Sequence, residues 1–178
     1  MKRREMLTAV PSLATLPLLP MQTAPTSSLL KEMFLPHWKV CKDFTLEVME
    51  VMPPAFFNFR PNPEEMAFGQ LFMHLGYFNT FLLAKVVGEN TPFKLTGEKD
   101  EPEKDVVRKF LVETFDFTIG TLERVKESEL RETKQLSRTM SHTGAEMILR
   151  AYMHTAHHRG QSEVYLRLKG IKPPTFKF

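Results

Sequence analysis

The chain has 178 residues, of which 25% are charged and 42% hydrophobic, and its 24 basic and 21 acidic side chains leave a net charge of +3. This is the composition of one ordinary globular domain, long enough to bury a real core. No basic stripe with interleaved aromatics is present, so no nucleic-acid partner is expected, and a single cysteine, Cys41, excludes an intramolecular disulfide and a thiolate zinc cage.

The first 25 residues differ from the rest. Lys2, Arg3 and Arg4 open the chain, and residues 7–19 are mostly apolar and uncharged, about the length of a signal-peptide core. The stretch is too short to span a bilayer and is broken by Pro11 and Pro17, so no stable membrane span is expected. Arg3-Arg4 followed by Met6 is similar to the opening of a twin-arginine export signal. The reading is an exported, periplasmic protein. The alternative is a cytoplasmic protein with an uncleaved Pro/Thr-rich tail, since no Ala-x-Ala cleavage site is visible and Pro25 follows Ala24. N-terminal sequencing from the native host separates the two.

Residues 26–178 read as helices. The first is expected from a cap at Ser27 or Ser28 to about Met52, with Leu29, Met33, Val40, Phe44, Val48 and Val51 as its apolar positions and a kink at Pro36. Cys41 reads as a small buried hydrophobe on this helix. After a proline-rich linker, Asn62 is expected to cap a second helix with Pro63 in its first turn, running to about Val87 and stopping at Gly88. Residues 89–103 read as a loop, and a third helix as about 104 to 130. A fourth opens on the capping box Thr143-Gly144-Ala145-Glu146 and ends at Gly170 and Pro173. No strand-like alternation or internal repeat stands out. The fold class is all-α, a four-helix bundle, with the 15 Phe and 11 Met filling its core.

Two helical stripes carry histidines. On the fourth helix Met147, Ala151, His154, His158, Gln161 and Tyr165 share a face, and the i, i+4 spacing of His154 and His158 suits two ligands of one metal ion. On the second, Ala67, Gln70, Leu71, His74, Phe78 and Phe81 share a face. Imidazoles buried in a bundle need a partner for each nitrogen, and a divalent ion supplies it. The expected ligands are His74, His154 and His158. His157 stands about 60° off the stripe and, with Gln70, is placed behind the ligands rather than among them. Gln161 and Tyr165 are candidates for catalysis or ligand orientation. Arg159 reads as a surface or inter-helix ion pair, Gly160 as a point of close helix approach, and His37 and His142 as solvated residues near helix starts.

These residues bring in a family. Phe59-Arg60-Pro61, the run Phe68-Gly69-Gln70-Leu71-Phe72-Met73-His74-Leu75, the motif His154-x-x-x-His158-Arg159-Gly160-Gln161, and the tail from Tyr165 to Pro174 resemble the DinB-like superfamily of metal-binding four-helix bundles. The resemblance covers about residues 29–176. It implies a divalent ion, zinc or nickel, on the three matching histidines, and a homodimer. It also implies, for the better-understood members, thiol-dependent transferase or isomerase activity with low-molecular-weight thiols. The export-like N-terminus departs from that pattern, because those thiols are cytosolic.

Three neutral imidazoles leave a coordination position open, as catalytic sites do. Bound water would give a hydrolase and a bound thiol a transferase, acting on a small-molecule substrate. Thr155 stands where a zinc peptidase of the His-Glu-x-x-His type carries its glutamate, and the stripes lack the carboxylates of a di-iron site. The alternative is a non-catalytic bundle in which metal stabilises the fold or holds a ligand.

Overall fold

The computed structural model describes residues 26–95 and 102–177. The export-like segment lies outside the described residues, as does the middle of the loop expected over residues 89–103. The elements are α1 (Thr26–Glu50), a 3-10 turn (Pro54–Phe56), α2 (Phe68–Val86), α3 (Lys104–Arg124), α4 (Glu127–Arg131), β1 (Thr133–Gln135), β2 (Ser141–Thr143) and α5 (Gly144–Leu168). The four long helices form a bundle with the order α1–α3–α2–α5 around its axis. Consecutive helices α1 and α2 are therefore diagonal, and α2 has α5 and α3 as its principal neighbours. The all-α bundle is as expected.

The core is aromatic. Trp38, Phe44, Phe57, Phe68, Phe72 and Phe115 are fully buried, joined by Met49, Met52 and leucines from α2 and α3. Each such side chain contributes about 2 kcal/mol by leaving water. On α1 the buried stripe runs through Trp38, Cys41, Phe44, Thr45, Val48 and Met49, whereas Leu29, Met33 and Val51 are exposed. Ser27 and Ser28 lie inside α1, not ahead of it. Among the described residues no helix is long and apolar enough to cross a membrane.

Several boundaries differ from expectation for local reasons. Asn62 does accept a hydrogen bond from Glu64 N at 2.9 Å, but it shapes a turn five residues before the helix. α2 starts at Phe68, where Gln70 Oε1 accepts from Ala67 N at 3.1 Å. The first two helical N–H groups, of Phe68 and Gly69, donate to the carbonyls of Phe59 and Phe57, so the linker itself satisfies the orphan donors of the helix end. α3 stops at Arg124: Val125 turns to extended backbone and Glu129 accepts from Lys126 N at 2.7 Å, opening the separate α4. The strands β1 and β2 form an antiparallel hairpin in the register Thr133↔Thr143 and Gln135↔Ser141, an element the polar sequences Thr-Lys-Gln and Ser-His-Thr do not announce. α5 opens as expected, with Glu146 N donating to Thr143 Oγ1 and Thr143 N to Glu146 Oε2. Gly88 and Gly170, both at φ +73°, end α2 and α5 in the left-handed conformation that favours glycine.

Candidate metal centre

The contact between α2 and α5 brings His74 against His154 and His158. One ring nitrogen from each lies within 4.8 Å of the others, and among the described residues no carboxylate or thiol joins them. His74 Nε2 and His154 Nε2 are 3.1 Å apart, close to the edge of about 3.3 Å that a tetrahedron of zinc–nitrogen bonds requires. The ring centroids are 5.0, 4.8 and 4.4 Å apart. All three side chains are half-buried. They stand at the margin of the core rather than inside it, because the deeply buried face of α5 runs through Ile148, Ala151, Thr155, Ser162 and Leu166.

His158 has a defined tautomer. Gln161 Oε1 stands 2.7 Å from its Nδ1 and accepts that N–H, which leaves Nε2 as the nitrogen with a free lone pair. Gln161 therefore fixes one imidazole of the cluster through a hydrogen bond. His154 is held differently. Its Nδ1 is buried without a hydrogen-bond partner among the described residues, and its ring packs on Phe78 with centroids 4.5 Å apart. Phe78 also stacks on His74 at 6.0 Å, so one aromatic side chain walls the site on the α2 side.

The electrostatics favour neutral rings. Burial, then the neighbouring histidines, push His154 down to about 3. Burial also lowers His158 to about 4, against the opposing bond to Gln161, and lowers His74 below the ordinary histidine range. A neutral imidazole is the form that ligates a metal. The residues thus fit a divalent ion: one nitrogen from each of three imidazoles converges, and the 3.1 Å nitrogen pair is spaced like two ligands of one ion.

The remaining singled-out residues fall elsewhere. His157 is exposed, its ring edge-on to His158 at 4.8 Å. Gln70 caps α2, one turn before His74. Tyr165 is buried and donates its hydroxyl to the Met66 carbonyl at 2.9 Å. Arg159 is not on the surface: it is 8% exposed and makes no salt bridge among the described residues. Gly160 brings no neighbour close; a Cβ there would meet nothing within 4 Å. His37 is exposed in the middle of α1, not near its start. His142 is half-buried on β2, 3.9 Å from the Glu146 carboxylate. The sequence reading missed the pair beneath the site: Asn79 Nδ2 donates to Thr155 Oγ1 at 2.6 Å, tying α2 to α5 in the core. A polar Asn79 among the apolar residues of the second half of α2 is the signal for it.

The sequence model of the DinB superfamily matches residues 38–162. The uncharacterized protein YjoA of Bacillus subtilis (strain 168) is 26% identical over 137 residues, covering 75% of this chain and 87% of YjoA. The crystal structure of that DinB-like protein superposes with a TM-score of 0.65 at 22% identity, over 80% of this chain and 94% of its own. A DinB-like protein from Bacillus cereus ATCC 10987 superposes with a TM-score of 0.66 at 17% identity, over 82% and 97%.

Proposed function

Because the chain belongs to the DinB superfamily, we propose that it is a metal-dependent enzyme, a hydrolase or thiol transferase, whose His74, His154 and His158 hold one zinc or nickel ion in an open site. The observation that carries this reading is the convergence of three imidazole nitrogens within 4.8 Å of one another. Such an ion would lower the pKa of a bound water or thiol toward neutrality.

The chain's own residues define what else the site offers. Gln161 fixes the His158 ring. Phe78 shields the side facing α2. Thr155, in the position of a peptidase glutamate, is fully buried and engaged by Asn79. Tyr165 is no proton acceptor near neutral pH, because burial, followed by the charge of Glu65, raises it to about 12. The reacting group would therefore be delivered by the ion and the substrate, with the protein supplying position and a partly dry wall.

The proposal includes a homodimer through the outer face of α5. Leu149, Met153, Val164 and Leu168 are about half exposed, and with the exposed Ala156 and Gly160 they form one stripe at helical spacing. Light scattering of the purified protein reads the state directly: a monomer that Met153→Glu leaves unchanged defeats this part.

The test of the metal reading is elemental analysis of the purified chain and of His154→Ala. One divalent ion per chain, lost in the variant together with any hydrolase or transferase turnover, is the expected result. Absence of metal after reconstitution defeats the reading. A large loss of melting temperature on chelation, with no turnover on ester and thiol panels, would reduce it to a metal-stabilised binding bundle.

A further inference from the structure

Residue 159 follows a histidine of the candidate metal centre but faces a different helix. Arg159 points toward α1, where Nη1 donates to Cys41 Sγ at 3.2 Å and the guanidinium lies over the Phe44 ring at 4.5 Å. It is 8% exposed, and no carboxylate forms a salt bridge with it among the described residues. A buried cation without a counter-charge is costly, on the order of several kcal/mol. The Cys41 thiol does not supply that charge, since burial raises its pKa despite the neighbouring Arg159.

Beside the guanidinium lies a cleft of about 180 Å³ between α1, α5 and the C-terminal tail. Val40 and Phe176 make apolar walls, and Tyr152 and His37 add polar edges. Lys177 also lines the cleft, but its ammonium pairs with Glu47. Among the described residues Arg159 is thus left without a carboxylate partner, and it borders the cavity.

We propose that this cleft binds a small organic carboxylate on Arg159, at a site separate from the three histidines. The planar guanidinium offers parallel N–H groups that match two carboxylate oxygens. A single negative charge balances the guanidinium cation, whereas phosphate would call for more. At about 30 Å³ for each water displaced, the volume takes a ligand of roughly six non-hydrogen atoms, and Val40 and Phe176 suit its short hydrocarbon part.

Isothermal titration calorimetry of the full chain tests this with sodium propanoate, against sodium chloride and sodium phosphate at matched ionic strength. Saturable binding of one propanoate per chain is expected. Arg159→Gln should weaken it roughly tenfold or more, the worth of a charge-assisted hydrogen bond. Val40→Phe, which fills the cleft from α1, should abolish it while metal content stays unchanged, and it decides the matter if Arg159→Gln fails to fold. His154→Ala should bind propanoate as the parent does. No saturable heat, undiminished binding in Val40→Phe, loss of binding in His154→Ala, or tighter binding of phosphate than of propanoate would each overturn the proposal.

Discussion

His154 and His158 sit one turn apart on α5, yet their second nitrogens have opposite fates. His158 Nδ1 donates to Gln161, whereas His154 Nδ1 is buried without a partner among the described residues. The orientation of His158 thus rests on one hydrogen bond and that of His154 on packing against Phe78. Removing the hydrogen bond while keeping the volume, as in Gln161→Leu, is expected to weaken metal affinity by about 10–100-fold. Competition with a chromogenic chelator measures this, and an unchanged helical circular dichroism spectrum separates it from unfolding. The histidine cluster was legible because helical spacing alone places His154 and His158 together and puts His74 on a stripe of its own. Arg159 was not, because periodicity says only that it leaves the histidine face. Which neighbour it then meets depends on α1, more than a hundred positions away in the chain. Gly160 misled for a related reason: a mid-helix glycine suggests close packing, while the tight contacts belong to Gly76 and Gly144.

Helix packing turns those glycines into opposite predictions. A Cβ on Gly76 of α2 would lie 2.5 Å from Thr114 Oγ1 and 3.1 Å from Phe110 of α3, so Gly76→Ala must displace those α3 side chains and is expected to cost about 1–3 kcal/mol. Gly120, inside α3, has nothing within 4 Å of the same position. Gly120→Ala is expected to stabilise by about 0.5–1 kcal/mol through helix propensity. Urea unfolding of the two variants should move the midpoint in opposite directions. Equal shifts of the same sign would contradict the packing. The helices themselves were readable where a strong local signal stands at the boundary: the Thr143–Glu146 box and the stops at Gly88 and Gly170. They were misread where tertiary contacts decide. α2 begins late because the carbonyls of Phe57 and Phe59 fold back over its N-terminus. α3 ends early without any Gly or Pro, at a Val125 whose side chain is buried. The hairpin between α4 and α5 rests on backbone pairing of three-residue polar strands, which no hydrophobic pattern records.

Across the whole molecule, three imidazoles crowded at one helix junction make stability depend on pH. In the unfolded chain each histidine takes up a proton near pH 6.5. In the folded, metal-free protein His154 holds out until about 3 and His158 until about 4, with His74 lowered in the same direction. Between those limits the unfolded state binds more protons, so stability rises with pH there and is fully present above about 6.5. Acidification withdraws it by up to about 1.4 kcal/mol per pH unit for each such ring. The melting temperature of chelator-treated protein is therefore expected to fall by several degrees between pH 7 and pH 5. A bound ion should add stability at pH 7 in proportion to the logarithm of its concentration over its Kd. Scanning calorimetry from pH 4 to pH 8 on the parent and on His154→Gln reads the effect. Replacing one titrating ring by an amide should flatten the slope of the metal-free curve. A slope equal to that of the parent would mean that the imidazoles titrate alike in the folded and unfolded chains, and that the crowding of the three rings has no energetic consequence.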